Sequence, residues 1–272
     1  MVTEIKEEER ISVARACKIV MLVRCMYYYE SVKDDSEVEA KLQWYGERLP
    51  ARGFPEYFKR IRQEGLVWNH KRVRRIYLKL GMAQRRKIKR RIPNPDKKVL
   101  LQPTRPNITW SLDFMEDRLE NGRRFRTLNI IDDYNREVLA IEVDYSFPSA
   151  KVVDMVKRVI DWRGKPEEIR SDNGTEFIAK DFSVFCSDSG INHLRIQKGK
   201  PMQNGYIERF NRTYREDVLD LHIFENIHQV REKSEEFVDD YNNNHPHESL
   251  NNMSPVTFLK LKYREKKPTF TV

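Results

Sequence analysis

From residue 107 onward the chain changes its hydrophobic period several times, and few folds accept that succession. "ITWSLDFMED", "RRFRTLNIIDDYN" and "REVLAIEVDYS" alternate as strands do, with turn signals at Asn121-Gly122 and Asn135-Arg136. Three strands joined by short turns predict an antiparallel meander. Ser149 to Gly164 then reads as an amphipathic helix, "EEIRSDNG" as a strand, "KDFSVFCSDSG" as a helix and "INHLRIQ" as another strand. A long helix, "NGYIERFNRTYREDVLD", capped near Asn204, closes the series. A meander followed by alternating helix and strand predicts an α/β fold, a mixed five-stranded sheet flanked by helices.

The preceding residues follow a different pattern. Apolar residues recur at helical spacing in residues 4–30, and Ser36 caps "SEVEAKLQWYGER". Pro55 and Gly65 bracket the next helix, and Asn69 and Gly81 bracket "NHKRVRRIYLKLGM". One face of that last helix carries Lys71, Arg72, Arg74, Arg75 and Lys79. Short helices ending in a basic one fit a helix-turn-helix-like reader of DNA, and Lys71, Arg72, Arg74 and Arg75 are its candidate DNA contacts. The pattern fits a small helical domain with a solvated basic face equally well. "QRRKIKRRIPNPDKKVLLQP" carries eight basic residues and three prolines and reads as a linker. The expected organisation is therefore a helical DNA-binding region at 1–83, a basic linker at 84–106, a core at 107–222 and a helical tail at 223–272.

Charge supports the division. Residues 1–106 hold 26 Lys and Arg against 13 Asp and Glu, whereas the remainder holds 25 against 29. A basic first part on a slightly acidic remainder suits a polyanion-binding arm. Cys17, Cys25 and Cys186 are too few and too scattered for a disulfide framework or a zinc site. The run Ile19 to Val23 is too short to span a membrane, and no signal peptide is visible, so a cytoplasmic setting is expected.

Three acids stand out within the core. Asp113 sits inside the first strand, Asp172 ends the fourth, and Glu208 lies one turn into the long helix. An acid inside a strand is costly unless it is paired or bound to metal. Carboxylates suit hard cations, and two Mg²⁺ or Mn²⁺ ions would let such a set promote in-line displacement at phosphorus. "SDNGTEF" by itself admits a plainer role, because Asp-Asn-Gly is a common exit from a strand.

"ENGRRFRTLNIIDDYNRE", "SDNGTEF" and "KGKPMQNGYIERFNRTYREDVLD", in that order, resemble the catalytic core shared by retroviral integrases and insertion-sequence transposases. The closer likeness is to transposases of the OrfB type. "NHKRVRRIYLKLGM" resembles their helix-turn-helix segment, and "DDYNNNHPHESLNNMSP" resembles their tail. The resemblance implies a ribonuclease-H-like fold and an acidic triad at Asp113, Asp172 and Glu208, with 35 residues between the last two. It implies that these bind the catalytic metals. The implied activity is a DDE-type transposase that cleaves DNA at element ends and transfers the strand. Its implied partners are DNA, further copies of itself, and an OrfA-type protein from an upstream frame, in a bacterial, nucleoid-associated setting. Two departures are visible: His245 stands where the family commonly has Arg, and "ERFNR" replaces the commoner Glu-Ser.

On a helix over 204–220, Glu208, Arg212 and Arg215 share one stripe, so the arginines are candidate DNA contacts; simple pairing of Glu208 with Arg212 is the plainer alternative. Lys198 and Lys200, in a Gly-Pro-containing loop, are further candidates or ordinary surface lysines. Asp132 and Asp133 are expected to be structural, as are Trp110, Trp162 and the aromatic run "MYYY". The competing functions are a ribonuclease-H-like nuclease and a non-enzymatic DNA-binding regulator derived from a transposase.

Overall fold

Residues 2–29, 34–83, 100, 102–196 and 204–265 are described by the computed structural model, whose contacts divide the chain into two units, Met1–Lys41 and Leu42–Val272. The first unit holds α1 (Val2–Glu8), α2 (Val13–Ile19) and α3 (Arg24–Tyr27). Residues 4–29 thus form short helices separated by turns. Arg10 and Met21 adopt φ of 50° and 52° between them. These left-handed turns fold the apolar faces onto Val2, Ala16 and Cys17, which one extended helix would have left in water. Tyr28 and Tyr29 are exposed, against the packing role expected of them.

Helix α4 (Ser36–Arg48) runs across the division, followed by α5 (Phe54–Gln63) and α6 (His70–Lys79). Asn69 caps α6 by accepting from the Lys71 amide at 2.8 Å. Tyr57 and Ile61 from α5, with Val73, Ile76 and Tyr77 from α6, are buried, which leaves the basic stripe of α6 outward.

The meander consists of β1 (Thr109–Arg118), β2 (Arg124–Asp132) and β3 (Val138–Asp144), all antiparallel. Helix α7 (Ser149–Arg163) leads to β4 (Glu168–Ser171), and α8 (Thr175–Ile178) and α9 (Lys180–Asp188) lead to β5 (Asn192–Arg195). Both β4 and β5 join in parallel, so the sheet order is β3-β2-β1-β4-β5. This is the mixed five-stranded sheet expected from the sequence. Helix α10 (Gly205–Tyr214) continues as a π-helical turn, Arg215–Leu219, before α11 (Ile227–Asn244), a 3₁₀ turn at Glu248–Leu250 and α12 (Pro255–Glu265).

Alternation along β1 determines what meets what. Trp110 and Leu112 join the core under α7 and α9, and Met115 joins the opposite core under α10 and α11. Asp113 has the parity of Met115 and therefore faces α10. The π-helical turn adds one residue to the last turn of the predicted long helix; Val218 and Leu219 are buried there, while Asp217 meets Arg52 at 2.5 Å. Trp162, expected to pack, is 60% exposed at the end of α7. Among the described residues, no helix is long and apolar enough to cross a membrane.

Candidate active site

Asp113 and Asp172 come from neighbouring parallel strands. Ser111 of β1 pairs with Arg170 of β4, and Asp172, the residue after β4 ends, is close enough for its charge to act on Asp113. Glu208 arrives from α10, the helix above that face of the sheet. Tertiary structure thus brings together residues from the first strand, the fourth strand and the helix after the fifth.

Asp113 is half-buried and, among the described residues, has no cationic partner. Its Oδ1 accepts from the Phe114 amide at 2.9 Å and its Oδ2 from Asn211 Nδ2 at 2.8 Å. Burial raises its pKa to about 6, and the nearby carboxylates of Asp172 and Glu208 push in the same direction against those two hydrogen bonds. The pKa of Glu208 is also raised, by burial, with Arg212 opposing the shift. Asp172 does shape the turn: its Oδ1 accepts from the Gly174 amide at 2.9 Å, while Asn173 Nδ2 donates to the Ile196 carbonyl at 2.8 Å. Only one carboxylate oxygen is needed for that turn.

A relay that the sequence reading missed joins α10 to the sheet. Asn129, directly across from Asp113 on β2, donates to Asn211 Oδ1 at 2.8 Å, and Asn211 donates in turn to Asp113. The sequence does hold a signal for it, because Asn211 stands three residues after Glu208 and so shares its helix face. Arg126, also missed, pairs with Glu176 beyond the Asp172 turn and lies 4.2 Å from the Phe114 ring centre.

The other acids in the region are already neutralised. Asp133 accepts from Ser111 Oγ at 2.7 Å and from Arg170 Nη1 at 2.6 Å. Asp132 accepts from the Asn107 and Tyr134 amides, each at 2.9 Å. Arg170, two residues before Asp172, is therefore committed to Asp133 and leaves Asp172 without that counter-charge.

The basic candidates are scattered. Lys71, Arg72, Arg74 and Arg75 lie on α6, where Arg74 stacks its guanidinium 5.5 Å from the Phe54 ring centre. Arg212 is exposed on α10 and acts on Glu208. Arg215 is held at the sheet, donating to Asp117 Oδ2 and to the Glu116 carbonyl, both at 3.0 Å. Lys198 and Lys200 lie outside the described residues. His245, at the family's Arg position, approaches Glu56 Oε1 at 3.2 Å and stacks on Tyr241.

Among the described residues, no group of three or more His, Cys, Asp or Glu side chains is drawn together closely enough to hold a metal ion. The chemistry of the donor set still suits a hard cation, since it offers oxygen only, has among the described residues no ammonium or guanidinium paired with Asp113 or Asp172, and carries repulsion that a divalent charge would relieve.

Two sequence profiles described as integrase core domain match the chain, at residues 103–201 and 189–255. An insertion element IS407 protein of 31.7 kDa from Burkholderia multivorans is 35% identical over 257 residues, covering 93% of this chain and 92% of that one. The putative transposase InsK for insertion sequence element IS150 of Escherichia coli is 26% identical, covering 80% of this chain and 81% of that one. Among solved structures, a chain of the simian T-cell lymphotropic virus intasome in complex with PP2A regulatory subunit B56 gamma shares the fold. Its TM-score is 0.50 at 14% identity, covering 85% of this chain and 76% of that chain. With its ribonuclease-H-like sheet and nearly full-length relatives, the chain belongs to the insertion-sequence transposases built on an integrase core, DNA transposases of the polynucleotidyl transferase class.

Proposed function

We propose that Asp113, Asp172 and Glu208 are the catalytic carboxylates and together hold the divalent ions, Mg²⁺ or Mn²⁺ and two in number, with which this transposase cuts DNA at the ends of its element and joins the freed 3′ end to a target. The observation that carries this reading is electrostatic: Asp113 lies within the field of both other acids, and among the described residues no basic side chain pairs with it. When bound, such ions supply Lewis acidity at the phosphodiester and a nucleophile at neutral pH. The chain's own part is to hold the oxygens. Parallel strands fix Asp113 beside Asp172, and Asn211 ties α10, and Glu208 with it, to the Asp113 carboxylate. Arg212, exposed one turn beyond Glu208, is placed to meet a backbone phosphate. The reaction needs no covalent protein–DNA intermediate and no Ser or Tyr nucleophile.

The finer assignments extend this reading. Lys71, Arg72, Arg74 and Arg75 on α6 form a DNA-contacting surface of the region 1–83, Lys198 and Lys200 contact DNA beside the site, and Arg215 braces α10 while lying next to the strand path. The linker at 84–106 tracks phosphates between that region and the core at 107–222, with 223–272 as its tail. An element has two ends and the chain carries one set of the three carboxylates, so paired cleavage calls for a homo-oligomer. An OrfA-type protein from an upstream frame supplies further DNA binding, and the enzyme works in the bacterial cytoplasm at the nucleoid.

The test is end cleavage of a labelled duplex by the full chain. Asp113→Asn, Asp172→Asn and Glu208→Gln should each lower Mg²⁺-dependent cleavage by at least about 10³-fold while leaving DNA affinity within a few-fold, as expected when transition-state stabilisation alone is removed. EDTA should abolish cleavage by the unaltered protein. Wild-type turnover in the Glu208→Gln protein would remove Glu208 from the mechanism.

A further inference from the structure

The seam between α5–α6 and the rest of the unit Leu42–Val272 is built from charge. Three apolar clusters take in the buried apolar side chains of the sheet and of α7 to α12, and none includes a residue of α5 or α6. Those two helices pack on each other instead. Phe54 and Tyr57 of α5 both meet Tyr77 of α6, with ring centres 5.4 and 6.1 Å apart, so α6 is carried wherever α5 is held.

Ion pairs do the holding. Arg52, just before α5, donates from Nε and Nη2 to Asp217 Oδ2 at 3.1 and 2.5 Å. Arg60 grips both carboxylate oxygens of Asp240 on α11, at 2.9 and 2.8 Å. These pairs are largely covered: the side chains are 16% and 10% exposed in the first, 6% and 19% in the second. Lys59 adds a bond to Glu248 at 3.1 Å, and Gln63 donates to the Asn252 carbonyl at 2.8 Å. Asp217 lies in the π-helical turn that continues α10, so one end of the seam is fastened to the helix carrying Glu208. Covered ion pairs add little net stability, because desolvating two charges offsets most of their attraction. What they supply is orientation, since a guanidinium fork meets a carboxylate in few geometries.

We propose that this seam sets the cutting register. It fixes the basic face of α6 relative to Asp113, Asp172 and Glu208, and so selects which phosphodiester is cut. Arg52, Asp217, Arg60 and Asp240 are then specificity-determining residues that act by placing the DNA-contacting helix and touch neither DNA nor metal. This assignment rests on the transposase reading above. It also gives the π-helical turn a use, because that turn carries Asp217 to Arg52.

The experiment reverses one pair in the full chain, with Cys25→Ser removing the exposed thiol. Arg52→Glu or Asp217→Arg alone sets like charges together, and the two combined restore an opposite pair. Spin labels at Leu78→Cys on α6 and Ser187→Cys on α9, both exposed positions, read the seam by pulsed electron paramagnetic resonance without DNA. The intact seam should give one narrow distance, each single reversal a broad distribution, and the double reversal a narrow one again. On the labelled end duplex with Mg²⁺, the intact chain should cut at one position. Each single reversal should spread the cuts over several neighbouring phosphodiesters while total cleavage stays within about threefold, since the carboxylates are untouched. The double reversal should gather the cuts again. Circular dichroism checks folding, and Asp217→Asn, isosteric and uncharged, stands in for a reversal that does not fold. A narrow distance in the folded single variants, or a broadened distance with the cut position unchanged, overturns the proposal, as does a loss of total cleavage without any spread. An intact chain that cuts nowhere overturns the transposase reading as well, so the two failures are told apart.

Discussion

Asp113 concentrates the chemistry of the molecule in one carboxyl group. Burial, with the neighbouring carboxylates of Asp172 and Glu208 adding to it, raises its pKa from 3.8 to about 6, so the folded chain holds that proton more tightly than the unfolded chain does. The sign is that of a destabilising acid: in EDTA its cost is absent below pH about 4, grows as pH rises through 6 and then stays constant. Asp113→Asn removes this cost. Urea unfolding should find the variant more stable than the unaltered protein by about 2 kcal/mol at pH 7, converted from the shift and reduced for partial exposure, and equal to it near pH 3.5. Added Mg²⁺ should then stabilise the unaltered protein and not the variant. Equal stability across that pH range would show that Asp113 is not held above its ordinary pKa in the folded chain.

At the scale of elements, local rules and tertiary demands divide the chain between them. Helix α6 begins where Asn69 caps it, and Asn69→Ala should lower stability by about 1 kcal/mol, with Asn69→Asp recovering it, as read from thermal unfolding. Gly65 and Gly81, at φ of 85° and 68°, end α5 and α6 in a conformation that other residues adopt at a cost. Such capping and stopping signals are written in four or five adjacent residues, which is why these helices were legible. The π-helical turn at Arg215–Leu219 was not legible. It comes where α10 meets both the core and Arg52, and Arg52 is 165 residues away from Asp217 in the chain. The breaks at Arg10 and Met21 are similar, since helical periodicity continues through them and only packing of short apolar faces selects the turns.

On the scale of the molecule, Arg60 joins α5 to α11. It donates to both carboxylate oxygens of Asp240, at 2.9 and 2.8 Å, and to Glu56 at 3.0 Å. Burial alone would raise Glu56, but His245 and Arg60 outweigh it and hold its pKa at about 2 instead of 4.5. That stabilisation is complete above pH 4.5 and is lost as pH falls toward 2. Glu56→Gln should therefore flatten the acid limb of stability between pH 5 and 2 by about 2 kcal/mol in denaturant unfolding; an unchanged limb would assign acid sensitivity to other pairs. The sequence by itself determined the meander, the helix–strand alternation and the three acids, one inside a strand, one at a strand end and one a turn into a helix, because period and capping are local properties of the chain. Tertiary structure decided that Arg170 serves Asp133 and leaves Asp172 free of it, that Asn211 bridges to Asp113, and that Arg136, Arg209 and His247 line one cleft. Those relations depend on which side chains meet across the fold, and no spacing along the chain encodes them.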